Sequence, residues 1–381
     1  MTTGPTNEVT LSRGLQEVVL DRTEASFIDG KAGVLEYRGY SIHDLAERST
    51  FEETAYLLLY GKLPTQQELT AFDTDLKAAR SLPAPVYDII ASIKQAHPMD
   101  VLRTAVSAAA VFDPDRDDNS EAANIRKGIR LTSQFPMIVM AHLAIRDGRK
   151  PIAPNMGLSH AANFLYMLNG KPPSPATAAL MDRDFVLHAE HGANASAFTA
   201  RVVTGTSADF HGSITAAVAA LAGPAHGGAA EDVMKMAVEI GEPDRAAQYV
   251  KDVIARGDRV TGFGHRVYRV EDPRARHLRA GVKRLSEERG EPKWYAILEA
   301  VVQAMQPYAR RGIHVNVDFY AGVIYHLIGM PRDLFVPIFA VGRVPGWTVQ
   351  VVEQFRHNIL IRPRLHYVGP HEQKYLPISD R

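Results

Sequence analysis

The sequence predicts a mainly α-helical protein of two lobes, with a short β segment near its start. Three observations carry that prediction. Helix-start signals dominate the chain beyond residue 50, and residues 175–222 are unusually rich in Ala, Gly, Ser and Thr. Between about 230 and 312 the composition shifts to charged amphipathic stretches, after which apolar helices return. At 381 residues the chain exceeds the ~250–300 residues at which one core stops growing, so two lobes are expected.

Taken in order, residues 15–38 ("LQEVVLDRTEASFIDGKAGVLEYR") carry short β-type runs broken by "DGKAG", which predicts a hairpin or two. Thr50 with Glu53 and Thr65 with Glu68 have capping-box spacing, in which each side chain satisfies the other residue's orphan amide. Gly61 and Pro83 are expected to close the helices these open; Pro85, Pro98, Pro114 and Pro175 mark further boundaries. The small-residue run predicts closely packed, buried central helices. "DRAAQYVKDVIARG" and "PRARHLRAGVKRLSEERG" predict amphipathic helices of a more solvent-exposed lobe. "DFYAGVIYHLIGM" and "RDLFVPIFAVG" then predict two apolar helices before an irregular tail. The expected division is a large domain of residues 1–223 and 325–381 with a smaller domain, 224–324, inserted into it. Such proteins bind ligands in the cleft and close over them.

Lys plus Arg equals Asp plus Glu at 43 each, so no global field points to nucleic acid or a membrane as partner. Cysteine is absent, which excludes disulfides, thiolate zinc sites and cysteine nucleophiles. The start, "MTTGPTNEVTLSRG", lacks a charged-then-apolar signal layout, and no apolar run is read as approaching the ~20 residues of a membrane span. A cytoplasmic location is expected.

Histidines and arginines cluster near the proposed lobe junctions. "LHAEHGANAS" offers His188 and His191, "LAGPAHGGAAEDVM" offers His226, and "TGFGHRVYRVEDPR" offers His265, Arg269 and Arg274. "HVNVDFYAG" adds Asp318, "AVGRVPGW" adds Arg343, and "LIRPRLHY" adds Arg362 and Arg364. Each has a plain alternative. His226, between Gly-Pro and Gly-Gly, fits a tight helix entrance as well as a site where substrate approaches the backbone. Asp318 fits an N-cap, and Arg343 fits a group capping carbonyls at a helix end. "GFGH" lacks the third glycine and the preceding strand of a dinucleotide fingerprint. The combination is more informative: arginines clamp carboxylates bidentately, histidines donate to carbonyl oxygens as charge builds, and an aspartate removes a proton from carbon.

The segment "GFGHRVYRVEDPR" resembles the citrate synthase signature. The resemblance extends through "HAEHGANAS", "GPAHGG", "NVDFYAG", "GRVPGW" and "RPRLHY", in the family's order, from "YRGYSIHDLAE" to the tail. It implies a two-domain citrate synthase-like fold and condensation of acetyl-CoA with oxaloacetate, followed by hydrolysis of citryl-CoA. Carried over motif by motif, His226 would bond the thioester oxygen, Asp318 would take the methyl proton, and His265 would polarise the keto group. His191, Arg274 and Arg343 would bind oxaloacetate, with Arg362 reaching across from the partner of a homodimer, and Arg269 would contact coenzyme A. No metal and no cofactor beyond the coenzyme A thioester substrate is implied, and no NADH-regulatory site. The related 2-methylcitrate synthases, which use propionyl-CoA, share these motifs and are the alternative. A hydrolase holding metal on His188 and His191, or a non-catalytic binding module, are the readings from other classes.

Overall fold

The structure is a computed structural model that describes residues 10–15 and 18–381; positions 16 and 17 of the expected β segment lie outside the described residues. Three antiparallel strands follow one another, β1 (Ser26–Asp29), β2 (Val34–Tyr37) and β3 (Tyr40–Ser41), with Ser26 opposite Tyr37 and Tyr37 opposite Tyr40. The turn "DGKAG" joins the first two, where Asp29 accepts the Lys31 and Ala32 amides.

Helices account for nearly all the rest. The first seven are α1 (Ile42–Arg48), α2 (Phe51–Tyr60), α3 (Gln66–Ala78), α4 (Ala84–Ser92), α5 (Pro98–Ala109), α6 (Glu121–Arg146) and α7 (His160–Asn169). The box at Thr65 and Glu68 is complete. At Thr50 only half of it forms: Thr50 accepts the Glu53 amide, and the free amide of Phe51 is taken by Asp182 from another helix at 3.1 Å. Tertiary structure thus satisfies a different amide from the one Glu53 would have reached, that of Thr50 itself. Gly61 ends α2 in the left-handed conformation (φ 77°), as expected. Pro83 does not close α3, which stops at Ala78; it stands instead at the entrance to α4.

The small-residue run becomes α8 (Pro175–His188), α9 (Ala195–Gly205) and α10 (Phe210–Leu221). α9 lies along α10, and Ala197, Ala200, Ala217 and Val218 are fully buried between them and their neighbours. The last central helix, α16 (Phe335–Arg356), corrects two expectations. It does not end at "VGRVPG" but runs unbroken through Pro345 and Gly346. Its surrounding stretch, Arg332–Arg356, is also long and apolar enough to cross a membrane, contrary to the reading that no run approaches that length, yet 94% of the window is buried inside the protein. Pro345 lies buried in a helix that packs on α6, α8 and α9. α16 crosses α6 where Gly128 faces Thr348, and a Cβ on Gly128 would collide with the threonine.

Between α10 and α16 lie α11 (Ala229–Ile240), α12 (Ala246–Ala255), α13 (Ala275–Glu288), α14 (Lys293–Ala309) and α15 (Asp318–Ile328). These pack chiefly on one another: α11 and α13 against α15, and α12 against α14. α15 continues past residue 324, where the sequence placed the end of the insertion, and stops at Gly329 (φ 90°). α13 also touches α8, through Gly281 against Leu180.

Candidate active site

Two close helix crossings decide where the site can be. On α16, Gly342 and Gly346 are four residues apart and share a face. A Cβ on Gly346 would collide with the Ala189 carbonyl, and one on Gly342 would lie 3.3 Å from His188. This brings Arg343 onto the end of α8, where its Nε donates to the His188 carbonyl. On α15, a Cβ on Gly322 would collide with the Ala230 carbonyl in the first turn of α11. Asp318 lies one turn before Gly322 on the same face of α15, and the turn that precedes α11 holds His226.

The small residues around His226 turn out to serve the chain itself. A Cβ on Gly227 would collide with the Leu221 carbonyl, and one on Gly228 would lie 3.2 Å from the Pro224 carbonyl. The glycines close a tight turn, so the expected reason, room for a ligand against the backbone, is not needed to explain them. The imidazole is held independently: Ser196 N–H donates to Nε2 at 3.2 Å, and Ser196 Oγ lies 2.8 Å from the same atom. An amide can only donate, so Nε2 is the acceptor and the neutral ring carries its proton on Nδ1. Burial, then the Arg343 charge, pushes the His226 pKa down to about 4. Burial is the larger cause, and α11 begins only three residues beyond His226.

His265 shows the same logic from a different loop. Val267 and Tyr268 amides donate to its Nδ1 at 3.0 and 3.2 Å, leaving Nε2 as the protonated nitrogen. Its pKa falls to about 4, through burial and then the charge of Arg274. The His265 loop is stitched to the segment before Asp318. Gly264 N–H donates to the His314 carbonyl (2.7 Å), Asn316 N–H to the Gly262 carbonyl (3.0 Å), and Phe263 bridges Val315. Asp318 is the first residue of α15, not its N-cap. Burial raises its pKa, His188 and Arg274 oppose the rise, and Asp272 and Asp184 add to it. A carboxylate kept less acidic is a stronger base.

His191 stacks edge-on with His265, ring centroids 5.3 Å apart, and its Nε2 lies 3.0 Å from the Tyr268 hydroxyl. Arg274 is buried and bidentate to Asp272, at 2.9 and 2.7 Å. Arg343 is buried beneath, its guanidinium 4.7 Å from the Phe339 ring centroid. The same ring meets His188 at 4.7 Å and His226 at 6.4 Å. His191, His226, His265, Arg274, Arg343 and Asp318 are thus one cluster, linked by stacking, shared partners and mutual charge.

Arg269 stands at its rim, exposed, with its amide on the Gly30 carbonyl and Nη1 on the His265 carbonyl. Arg362 is not brought to the cluster of its own chain. It is exposed in the extended tail beyond α16, which passes Gly205 at Ile359 and Ile361. Nor do His188 and His191 converge as metal ligands: His188 Nδ1 is bonded to the Asp184 carbonyl, and His191 faces Tyr268. Among the described residues no group of three such ligands gathers.

Several members were not singled out from sequence. Asp272 and Tyr268 lie inside the quoted motif, and Phe339 one helical turn before Arg343, so spacing from known members was the available signal. Ser196, at the start of α9, closes the quoted "HAEHGANAS" and had the same signal.

The matches to known proteins agree with this arrangement. The profile described as "Citrate synthase, C-terminal domain" matches residues 14–364. A citrate synthase of Haloferax volcanii is 42% identical over 377 residues, covering 97% of this chain and 99% of that protein. A 2-methylcitrate synthase 1 of Corynebacterium glutamicum is also 42% identical, covering 97% and 98%. Among solved structures, the ternary complex of carboxymethyl coenzyme A and oxaloacetate with citrate synthase from Thermoplasma acidophilum superposes with TM-score 0.93 at 32% identity, over 98% of this chain and 100% of that one. With a family profile and full-length relatives in agreement on fold and order of motifs, the chain belongs to the citrate synthase family.

Proposed function

We propose that the protein condenses acetyl-CoA with oxaloacetate and hydrolyses the resulting citryl-CoA to citrate and coenzyme A. The observation that carries this reading is the pairing of one base with two neutral imidazoles, each tied at one ring nitrogen and carrying its proton on the other. Asp318 takes a proton from the thioester methyl group. His226 Nδ1–H donates to the thioester oxygen while negative charge builds there, and the enol carbon attacks the keto carbon. His265 Nε2–H protonates the alkoxide that forms. Water then cleaves the thioester and coenzyme A leaves as the thiol. A thioester α-proton is too weakly acidic for an ordinary carboxylate in water, so stabilisation of the enolate and exclusion of water do most of the work.

Arg274, Arg343 and His191 bind the keto-diacid, and Arg269 meets the phosphates of coenzyme A. Helices α11–α15 form the smaller domain and close over the remainder. Arg362 completes the site of a second copy, a role supported by its exposure in a tail that leaves its own cluster. The 42% identity to a 2-methylcitrate synthase supports propionyl-CoA as the second reading, because one methylene changes discrimination by only ~1–3 kcal/mol.

The test is release of coenzyme A thiol, which a cysteine-free chain allows to be read with a thiol reagent without background. kcat/KM should be higher for acetyl-CoA than for propionyl-CoA; the reverse order selects the second reading, and no release from either overturns both. Asp318→Asn should lower kcat by about 10²–10⁴ with oxaloacetate binding retained. Mixing it with Arg362→Leu should return part of the activity in heterodimers; no return would place Arg362 with its own subunit.

A further inference from the structure

Away from the catalytic cluster, His43 Nδ1 lies 2.7 Å from His277 Nε2, and the rings sit 5.0 Å apart at 41°. We propose that this imidazole pair is a latch that fixes the first turn of α13 against α1 and so positions Arg274 for the keto-diacid. Neither residue touches the reacting groups; both act through Arg274. The proposal rests on the assignment of Arg274 to that substrate.

The placement supports it. His43 is the second residue of α1 and His277 the third of α13. His277 N–H donates to the Arg274 carbonyl at 3.2 Å, so the latch sits directly behind the arginine. No side chain caps α13 at its start. The helix packs on α14 and α15 and meets the other proposed domain through His277 on His43 and, four residues on, Gly281 on Leu180 of α8. The first contact is polar, directional and formed between segments of the two proposed domains. The second is apolar and tolerant of sliding. Removing the first leaves α13 attached through α8, α14 and α15 but no longer fixed at its first turn, the turn from which Arg274 reaches Asp272.

The pair is also proton-sensitive. An imidazole–imidazole bond needs one nitrogen to donate and the other to accept, so protonation at both facing nitrogens is repulsive. Charged groups face it from each packed element: Asp44 and Glu47 on α1, Arg276 on α13 and Arg183 on α8, with Glu47 Oε1 3.8 Å from His277 Nδ1. Burial, then the His43 and Arg276 charges, lowers the His277 pKa to about 4; burial and then Arg276 lower that of His43. The sign follows. A ring that returns to the ordinary 6.5 when parted takes up a proton on parting, so docking weakens as pH falls below 6.5. For His277 alone, moving from 6.5 to about 4 makes docking about tenfold weaker at pH 5.5 than at pH 7.5.

The experiment measures KM for oxaloacetate and kcat by coenzyme A release, from pH 7.5 to 5.5, in the full chain. His277→Ala should raise KM several-fold at pH 7.5 and leave kcat within about twofold. The pair His43→Asn with His277→Gln puts amide N and O where the two nitrogens meet and does not titrate. It should restore the wild-type KM at pH 7.5 and hold it at pH 5.5, where the wild type's should rise toward that of His277→Ala. An unchanged KM in His277→Ala, or an amide pair whose profile superimposes on the wild type's, overturns the latch. If these variants do not fold, ¹⁵N-imidazole spectra of the wild-type protein decide. One protonated and one bare nitrogen at the contact, with His277 resisting protonation to about pH 4, support it; ordinary titration of His277 near 6.5 overturns it. Failure of the wild type to release coenzyme A would sink the functional reading and leave the latch to be judged by those spectra.

Discussion

Arg274 enters the site already paired, with two carboxylate oxygens of Asp272 on its Nε and Nη2. Arg343, equally enclosed, has no carboxylate within ion-pair distance among the described residues; it lies on Phe339 and donates to a backbone carbonyl. Their acidities diverge accordingly. Burial lowers the Arg274 pKa but Asp272 more than compensates and raises it. Burial lowers that of Arg343 to about 10, with Glu190 and Tyr37 opposing the fall. Glu190 in turn is pushed by burial up to about 7, against the pull of Arg343. Two arginines proposed for one dianion thus start from different electrical states. The paired one is a structural member that also meets substrate; the other is stabilised most when an anion arrives.

Asp272→Asn gives the sharpest contrast. It leaves Arg274 buried without its partner, and thermal unfolding should show a loss of about 3–5 kcal/mol; an unchanged Tm would mean Arg274 does not depend on the pair. Arg343→Met should do the opposite to the free protein, leaving Tm level or higher, while raising KM for oxaloacetate by the equivalent of about 2 kcal/mol or more. A fall in Tm as large as that of Asp272→Asn would erase the distinction.

Acid should separate the two imidazoles from the Arg274–Asp272 pair. His226 and His265 have folded values of about 4, so the stability they confer is complete above pH 6.5 and is lost between 6.5 and about 4. For Asp272, burial raises the value but Arg274 outweighs it and holds it below 3.8, so that contribution persists until pH falls below 3.8. Tm should therefore decline first through the imidazole window, and His265→Asn should make that decline shallower. The smallest expected effect is Tyr268→Phe. It removes the hydrogen bond between Tyr268 and His191, about 1 kcal/mol, read as roughly a fivefold rise in KM with kcat nearly unchanged.

The elements most legible in the sequence are those decided locally. Thr65 and Glu68 cap α3 because both partners lie within one turn, and Gly61 ends α2 because only its own backbone must turn. What was not legible depends on residues far away in the chain. The Phe51 amide at the start of α2 is taken by Asp182, 131 residues away. Pro345 sits inside a helix whose partners, α6, α8 and α9, come from far along the chain. His226 is oriented by Ser196, thirty residues earlier, and the glycines beside it answer to Leu221 and Pro224. The site residues were named through motif order, and that order says nothing of how Asp272 or Phe339 tune them.

The missing side chain at Gly322 has a consequence of its own. With nothing but hydrogen at its Cα, α15 rests directly on the Ala230 carbonyl, and that contact sets how closely the helix carrying Asp318 lies on α11. It is a gauge block ground to zero thickness. Any residue larger than glycine would act as a shim, pushing the helix that carries the base away from α11 without altering the base itself.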